Sequence, residues 1–207
     1  TAAIAQGYQL GFSALGLPAP TVEQVRTTVG MTLENGFTHL TGDTDPERQA
    51  AFVHQFHITV GTEASGPGRE LMIKGTRLLP GAVELLSALK GAGVHTAIVS
   101  TKPGDTIRQI LAHQGRLELV EQIIGWDEVS RVKPDPEGLN LALARFGLEP
   151  GQALFCGDTV IDAATAQAGG CGFCAVLNGT TPREAFRAYP HVYIAEDLAG
   201  LQGWLGL

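Results

Sequence analysis

Apolar residues follow two patterns along the chain. Over roughly the first 75 residues they recur at helical spacing. Ile4, Tyr8, Phe12 and Leu15 mark one helix before the stop at Gly16-Leu17-Pro18. Thr21 introduces a short amphipathic helix, Val22-Glu23-Gln24-Val25-Arg26, that ends near Gly30. Pro46 opens another with Ala50, Ala51, Val53 and Phe56 on its apolar side, proline being suited to a first helical position. The stretch from Gly61 to Gly68, containing Ser65, Gly66 and Pro67, reads as a loop by composition.

After Pro80-Gly81 the pattern becomes one of short apolar runs alternating with amphipathic segments. Strands are predicted at 96–99, 122–125, 153–156, 173–177 and 191–195, the last at an edge. Helices are predicted at 82–90, 106–113, 135–146 and 160–168, with one more opening at Thr181-Pro182. Asp135 serves as N-cap, Pro136 as first position and Glu137 as first-turn acid. Strands separated by helices of this length imply a parallel sheet with helices on both faces, an α/β Rossmann-like core. The boundary with the helical module falls near Gly75, giving a small helical domain over 1–75 and the core over 76–207. Ligands in such sheets bind at the carboxyl ends of the strands, so polar residues there are the candidates for chemistry.

Composition narrows the class. The chain has 207 residues and a formal charge of −7, with no run of Lys or Arg, which disfavours nucleic acid or an anionic membrane as partner. Its longest apolar runs are about five residues, against the roughly 20 of a membrane helix. Three cysteines cannot form a complete disulfide set, which predicts a reducing, cytoplasmic setting. Cys171 and Cys174 resemble a thiol redox pair in spacing, but their place at a strand entry favours core filling.

Three clusters sit just past strand ends. Ser100-Thr101-Lys102-Pro103-Gly104 offers a hydroxyl and backbone N–H groups that suit a phosphoryl oxygen, and equally a helix cap. Lys133-Pro134-Asp135-Pro136 holds an ammonium on a stiffened approach to a helix, suited to neutralising a phosphate. Gly157-Asp158-Thr159-Val160-Ile161-Asp162 places two carboxylates one helical turn apart, a hard-oxygen arrangement suited to Mg²⁺.

The order of the three resembles the haloacid dehalogenase superfamily of phosphohydrolases, in its phosphoglycolate-phosphatase-like branch. Pro80-Gly81, Ile98-Val99-Ser100-Thr101-Lys102-Pro103, Val132-Lys133-Pro134 and Ala166-Gln167-Ala168-Gly169 all fall where that branch has them. The helical start, with Val29-Gly30 after a short helix, is similar to the family's cap. The resemblance implies roles residue by residue. Ser100 would hydrogen-bond the transferring phosphoryl group with help from backbone at Thr101. Lys133 would pair with the phosphate and the nucleophile. Asp158 would bind Mg²⁺, and Asp162 would support the metal directly or through water. The substrate would be a small phosphorylated metabolite, selected largely by the cap.

One part of the pattern is missing. The family's nucleophile is the first Asp of an Asp-x-Asp-x-Thr signature ending the first core strand, before the cap. Asp43-Thr44-Asp45 has similar letters but lacks an apolar run before it and leads into Pro46-Glu47-Arg48, which reads as a helix-capping loop. The resemblance therefore places the nucleophile strand upstream of Thr1, between the strands that end at Ser100 and Asp158. A phosphosugar mutase shares these motifs, and a non-catalytic phospholigand-binding protein is the reading if the nucleophile is truly absent.

Overall fold

The computed structural model describes residues 2–60 and 67–207. The chain divides into two compact units, residues 1–77 and 78–207. The first is helical: α1 (Ala2–Ala14), α2 (Val22–Arg26), α3 (Leu33–Thr41), α4 (Pro46–Val60) and α5 (Pro67–Gly75). Its core is aromatic. Tyr8 and Phe12 from α1, Phe37 from α3, and Phe52 and Phe56 from α4 pack with ring centroids 5.1–6.3 Å apart. Gly36 permits that packing, because a Cβ there would stand 2.0 Å from the Tyr8 hydroxyl. Thr21 closes a capping box with Gln24 at the start of α2. Pro67 and Gly68, read from composition as loop, instead begin α5, where proline fits the first turn. The rest of that stretch, 61–66, lies outside the described residues.

The second unit alternates helices and strands in the expected order. It runs α6 (Ala82–Gly91), β1 (Ala97–Val99), α7 (Gly104–His113), β2 (Gln122–Ile124), α8 (Glu137–Phe146), β3 (Leu154–Gly157), α9 (Val160–Gly169), β4 (Gly172–Val176), β5 (Tyr193–Ala195) and α10 (Leu198–Trp204). Arg183–Ala188 is 3₁₀ rather than the α-helix its opening suggests. Helix α10 has no counterpart in the sequence reading. It is a short segment weakened by Gly200 and Gly203 and started by Asp197, whose carboxylate accepts from the Gly200 N–H at 2.7 Å. At the start of α8, Pro136 occupies the cap position and Asp135 reaches past it, accepting from the Glu137 N–H at 3.0 Å.

All strand pairs are parallel. Among the described residues they form two sheets, β1-β2 and β3-β4-β5, with no ladder between β1 and β3. Strand β4 is buried from Phe173 to Val176, whereas Ala97 on β1 and Cys156 on β3 are exposed. Helices cover both faces of the larger sheet. Leu85 of α6 and Leu201 of α10 pack on Cys174, Val176 and Ala195, while Ala163 and Ala166 of α9 pack on Phe173 and Ala175. Each fully buried large side chain contributes about 1.5–3 kcal/mol. Cys171 and Cys174 are buried free thiols, as core filling requires.

Candidate active site

The polar residues singled out by the sequence stand where β1, β2 and β3 end. Ser100 continues the ladder of its strand, its N–H donating to the Ile124 carbonyl at 3.0 Å. Its Oγ accepts from the Lys102 N–H at 3.1 Å. With an acceptor site of the hydroxyl satisfied by backbone, its proton remains available to a ligand oxygen. Thr101 comes next, half-buried. Burial holds the ammonium of Lys102 below the ordinary lysine range. The backbone N–H of Gly104, at the head of α7, is not free to meet a phosphate: Asp127, arriving from beyond β2, accepts from it at 2.8 Å. Gly125 makes this crossing possible, since a Cβ there would lie 2.0 Å from the Gly104 nitrogen.

Ser100 and Lys133 line one small cavity, together with Gly125, Arg131 and the apolar Val99 and Ile124. Lys133 comes from the loop before α8, and its peptide bond to Pro134 is cis. Its Nζ donates to Asp162 Oδ1 at 2.7 Å, with the two side chains only 16% and 8% exposed. The ammonium also lies 6.0 Å from the centre of the Phe155 ring, within cation–π range. Reaching Asp162 joins the β2 half of the unit to the β3 half by a charged hydrogen bond.

Asp162 is occupied on its other oxygen as well. Oδ2 accepts from the Thr159 hydroxyl at 2.7 Å and the Thr159 N–H at 3.1 Å, while Thr159 Oγ1 accepts from the Asp162 N–H at 3.3 Å. This reciprocal box caps α9 and fixes the carboxylate in place. Gly157 is required beside it, because a Cβ would come within 2.3 Å of Asp162 Cβ and 2.6 Å of Oδ2.

Asp158 is different. It forms no hydrogen bond or ion pair with another side chain among the described residues. Burial, and then the negative charge of Asp162, hold its carboxyl above the usual carboxylate range. Gly179, in the turn after β4, packs directly on it: a Cβ would stand 2.2 Å from Asp158 Oδ2. A desolvated, unpaired carboxylate beside a second acid is chemically suited to a cation. Mg²⁺ characteristically takes one or two carboxylates and completes its shell with water and substrate phosphate, a demand that Asp158 fits. Asp162, engaged by Lys133 and Thr159, fits a contact through water better than a direct one. Among the described residues no three His, Cys, Asp or Glu side chains cluster as a closed metal site.

Asp43 and Asp45 do what their sequence context suggests. Asp43 Oδ1 accepts from the Asp45 N–H at 2.9 Å, Asp45 Oδ1 accepts from the Glu47 N–H at 3.0 Å, and Arg48 pairs with Asp43 at 2.8 Å. They secure the start of α4.

The sequence reading missed three features of the site: the Lys133–Asp162 bond, the approach of Gly179 to Asp158, and the role of Asp127. Each joins residues more than 20 positions apart, so local spacing carries no signal of it.

The family model for haloacid dehalogenase-like hydrolases matches residues 1–176. The chain belongs to that family. Within it, the chain is 31% identical over 206 residues to a phosphoglycolate phosphatase of Rhodobacter capsulatus, covering 93% of this chain and 82% of that protein. It is 33% identical over 134 residues to the phosphoglycolate phosphatase of Rhodospirillum rubrum, covering 65% of this chain but only 55% of that protein. A solved haloacid dehalogenase-like structure from Bacteroides fragilis superposes with a TM-score of 0.85 at 32% identity, covering 97% of this chain and 91% of that one. A Streptococcus pneumoniae haloacid dehalogenase-like structure shares the fold at 21% identity, with a TM-score of 0.83 over 99% and 90% of the two chains. Membership in the family agrees with the placement of Ser100, Lys133 and Asp158 at one end of parallel strands.

Proposed function

We propose that this protein is a Mg²⁺-dependent phosphatase acting on a small phosphorylated metabolite, phosphoglycolate-like or a sugar phosphate. The observation that carries the proposal is that the Ser100 hydroxyl and the buried Lys133 ammonium line one cavity, with the Asp158 carboxylate, at the end of β3, feeling the charges of Asp162 and Lys133. The curated relatives named phosphoglycolate phosphatase support the substrate class. Residues 1–77 are proposed as the cap that selects the substrate.

In this reading the nucleophile is an aspartate on a further parallel strand seated between β1 and β3. The support is the topology: among the described residues β1 and β3 each pair on one side only, and no ladder joins them. An added strand would supply ladder partners along both edges.

The aspartate would attack phosphorus in line while the acid two residues after it protonates the departing alcohol oxygen; water would then hydrolyse the aspartyl-phosphate, releasing inorganic phosphate and restoring the aspartate. Ser100 donates its hydroxyl proton to an equatorial phosphoryl oxygen. Lys133 supplies positive charge from a position fixed by Asp162, so no reorganisation is needed as charge develops. Bound on Asp158, Mg²⁺ would supply further neutralisation of phosphoryl charge.

The test is phosphate release by the native full-length protein from 2-phosphoglycolate, hexose phosphates and an aryl phosphate, with Mg²⁺ and with excess chelator. Chelator-sensitive release that is lost in Asp158→Asn bears the proposal out. Transfer of the phosphate within a sugar, without release, would indicate the mutase reading instead.

A further inference from the structure

The loop that carries Lys133 has an anchor that the reaction does not otherwise use. Between the 3₁₀ turn at Trp126–Glu128 and α8, the backbone crosses residues 129–136 without forming part of any strand. Two successive N–H groups in this loop, those of Ser130 and Arg131, donate to the two oxygens of one carboxylate, Glu137, at 2.8 and 3.0 Å. Glu137 is itself held: its own N–H goes to Asp135 Oδ1 at 3.0 Å, and it sits in the first turn of α8, where negative charge is favoured. Inside the ring closed in this way, Asp135 N–H donates to the Val132 carbonyl at 3.0 Å. The Arg131 guanidinium braces the arrangement from outside, 3.3 Å from Asp135 and 3.6 Å from Glu137.

We propose that Glu137 is the positioning residue for Lys133, clamping the 130–131 backbone so that the ammonium is delivered to Asp162 and to the phosphoryl site. Lys133 is the midpoint of the segment whose two ends this carboxylate ties together. No helix or strand hydrogen bonding fixes that segment, so its geometry is set by the clamp, by the Asp135–Val132 turn bond and by the Lys133–Asp162 bond itself. A displacement on the order of 1 Å at a catalytic group is enough to cost about 100-fold in rate.

The inference rests on the phosphatase reading only for its effect on turnover, so two measurements separate the two. The first does not use activity. Trace acetylation of the native full-length protein, read by peptide mass spectrometry, reports how firmly the Lys133 ammonium is held. In Glu137→Ala, Lys133 is expected to label at least fivefold faster than in wild type, with exposed Lys74 unchanged as internal control. An unaltered Lys133 rate overturns the proposal. The second is turnover. Glu137→Ala is expected to lower kcat by about 10–100-fold with KM changed less than threefold, and Glu137→Gln, which keeps one acceptor oxygen, to recover part of the loss. Leu143→Ala, a core truncation in the same helix, controls for loss of stability. Equal loss of kcat in Glu137→Ala and Leu143→Ala at matched loss of Tm would overturn a role in positioning. Faster labelling of Lys133 with no phosphate release even from wild type would uphold the clamp and defeat the phosphatase reading.

Discussion

The ammonium of Lys133 and the carboxylate of Asp162 meet at 2.7 Å although 29 positions separate them in the chain. Both are largely withdrawn from water, and each is the other's counter-charge. Removing one member leaves the other buried and unpaired, which typically costs about 3–5 kcal/mol. Lys133→Met is therefore expected to lower stability by about 3 kcal/mol, toward the smaller end because Thr159 still serves Asp162. The midpoint of urea unfolding measures this. A shift equivalent to less than about 1 kcal/mol, the range of exposed pairs, would show that the pair is solvated in solution.

Gly179→Ala tests the close approach to Asp158. The added methyl has 2.2 Å to Asp158 Oδ2 and 2.9 Å to its Cβ, so either the turn or the carboxylate must move. Overpacking of this kind costs about 1–3 kcal/mol. Displacing a ligating carboxylate through its neighbour typically weakens a metal site by about 10–100-fold. Calorimetric titration with Mg²⁺ or Mn²⁺ is expected to show at least a tenfold loss of affinity. Unchanged affinity would mean that the turn yields and Asp158 stays.

The acid limb of stability should carry a signature of Glu137. The Ser130 N–H, joined by that of Arg131 and the charge of its guanidinium, holds its carboxyl below the usual glutamate range. The unfolded-state value is about 4.3. A folded value below that means the stabilisation is complete above about pH 4.3 and is lost as pH falls through the folded value. Unfolding midpoints of wild type and Glu137→Gln should therefore differ most near neutrality and converge in acid. A gap that widens as pH falls contradicts the assignment.

Phe52 is fully buried at the centre of the aromatic cluster of the helical unit, touching Tyr8, Phe12, Phe37 and Phe56. Phe52→Ala removes the ring from all four and is expected to cost about 3–5 kcal/mol. Thermal unfolding followed by far-ultraviolet circular dichroism reads the effect.

The architecture was largely legible because strand and helix periods differ and both recur cleanly after Pro80. The candidate residues were picked out for the same reason: Ser100 and Asp158 come directly after the apolar runs of β1 and β3, and Lys133 lies in the loop that follows β2. Contacts across the sheet were not legible. Asp162 reads from sequence as a partner of Asp158, one helical turn away, yet the structure gives its oxygens to Lys133 and Thr159. Glu137 reads as an ordinary first-turn acid, because nothing local shows that the chain doubles back to lay Ser130 and Arg131 on it. Pro67 and Gly68 misled for a different reason. Residues that mark loops also mark helix starts, and only the helix-forming run from Arg69 to Lys74 distinguishes the two.

Helix α8 acquires a second significance from its contacts on either side, with the β1-β2 sheet and with α9. Gly138 seats the helix on Val99 and Ile124, where a Cβ would meet Val99 Cγ1 at 2.8 Å. One residue on, Leu139 presses against Gly169 of α9, where a Cβ would meet Leu139 Cδ2 at 2.6 Å. A single rigid rod thus rests on both banks of the cleft through two points with no slack. A methyl group added at 138 or 169 would act as a shim, pushing α8 away from β1 or from α9 without altering any candidate site residue.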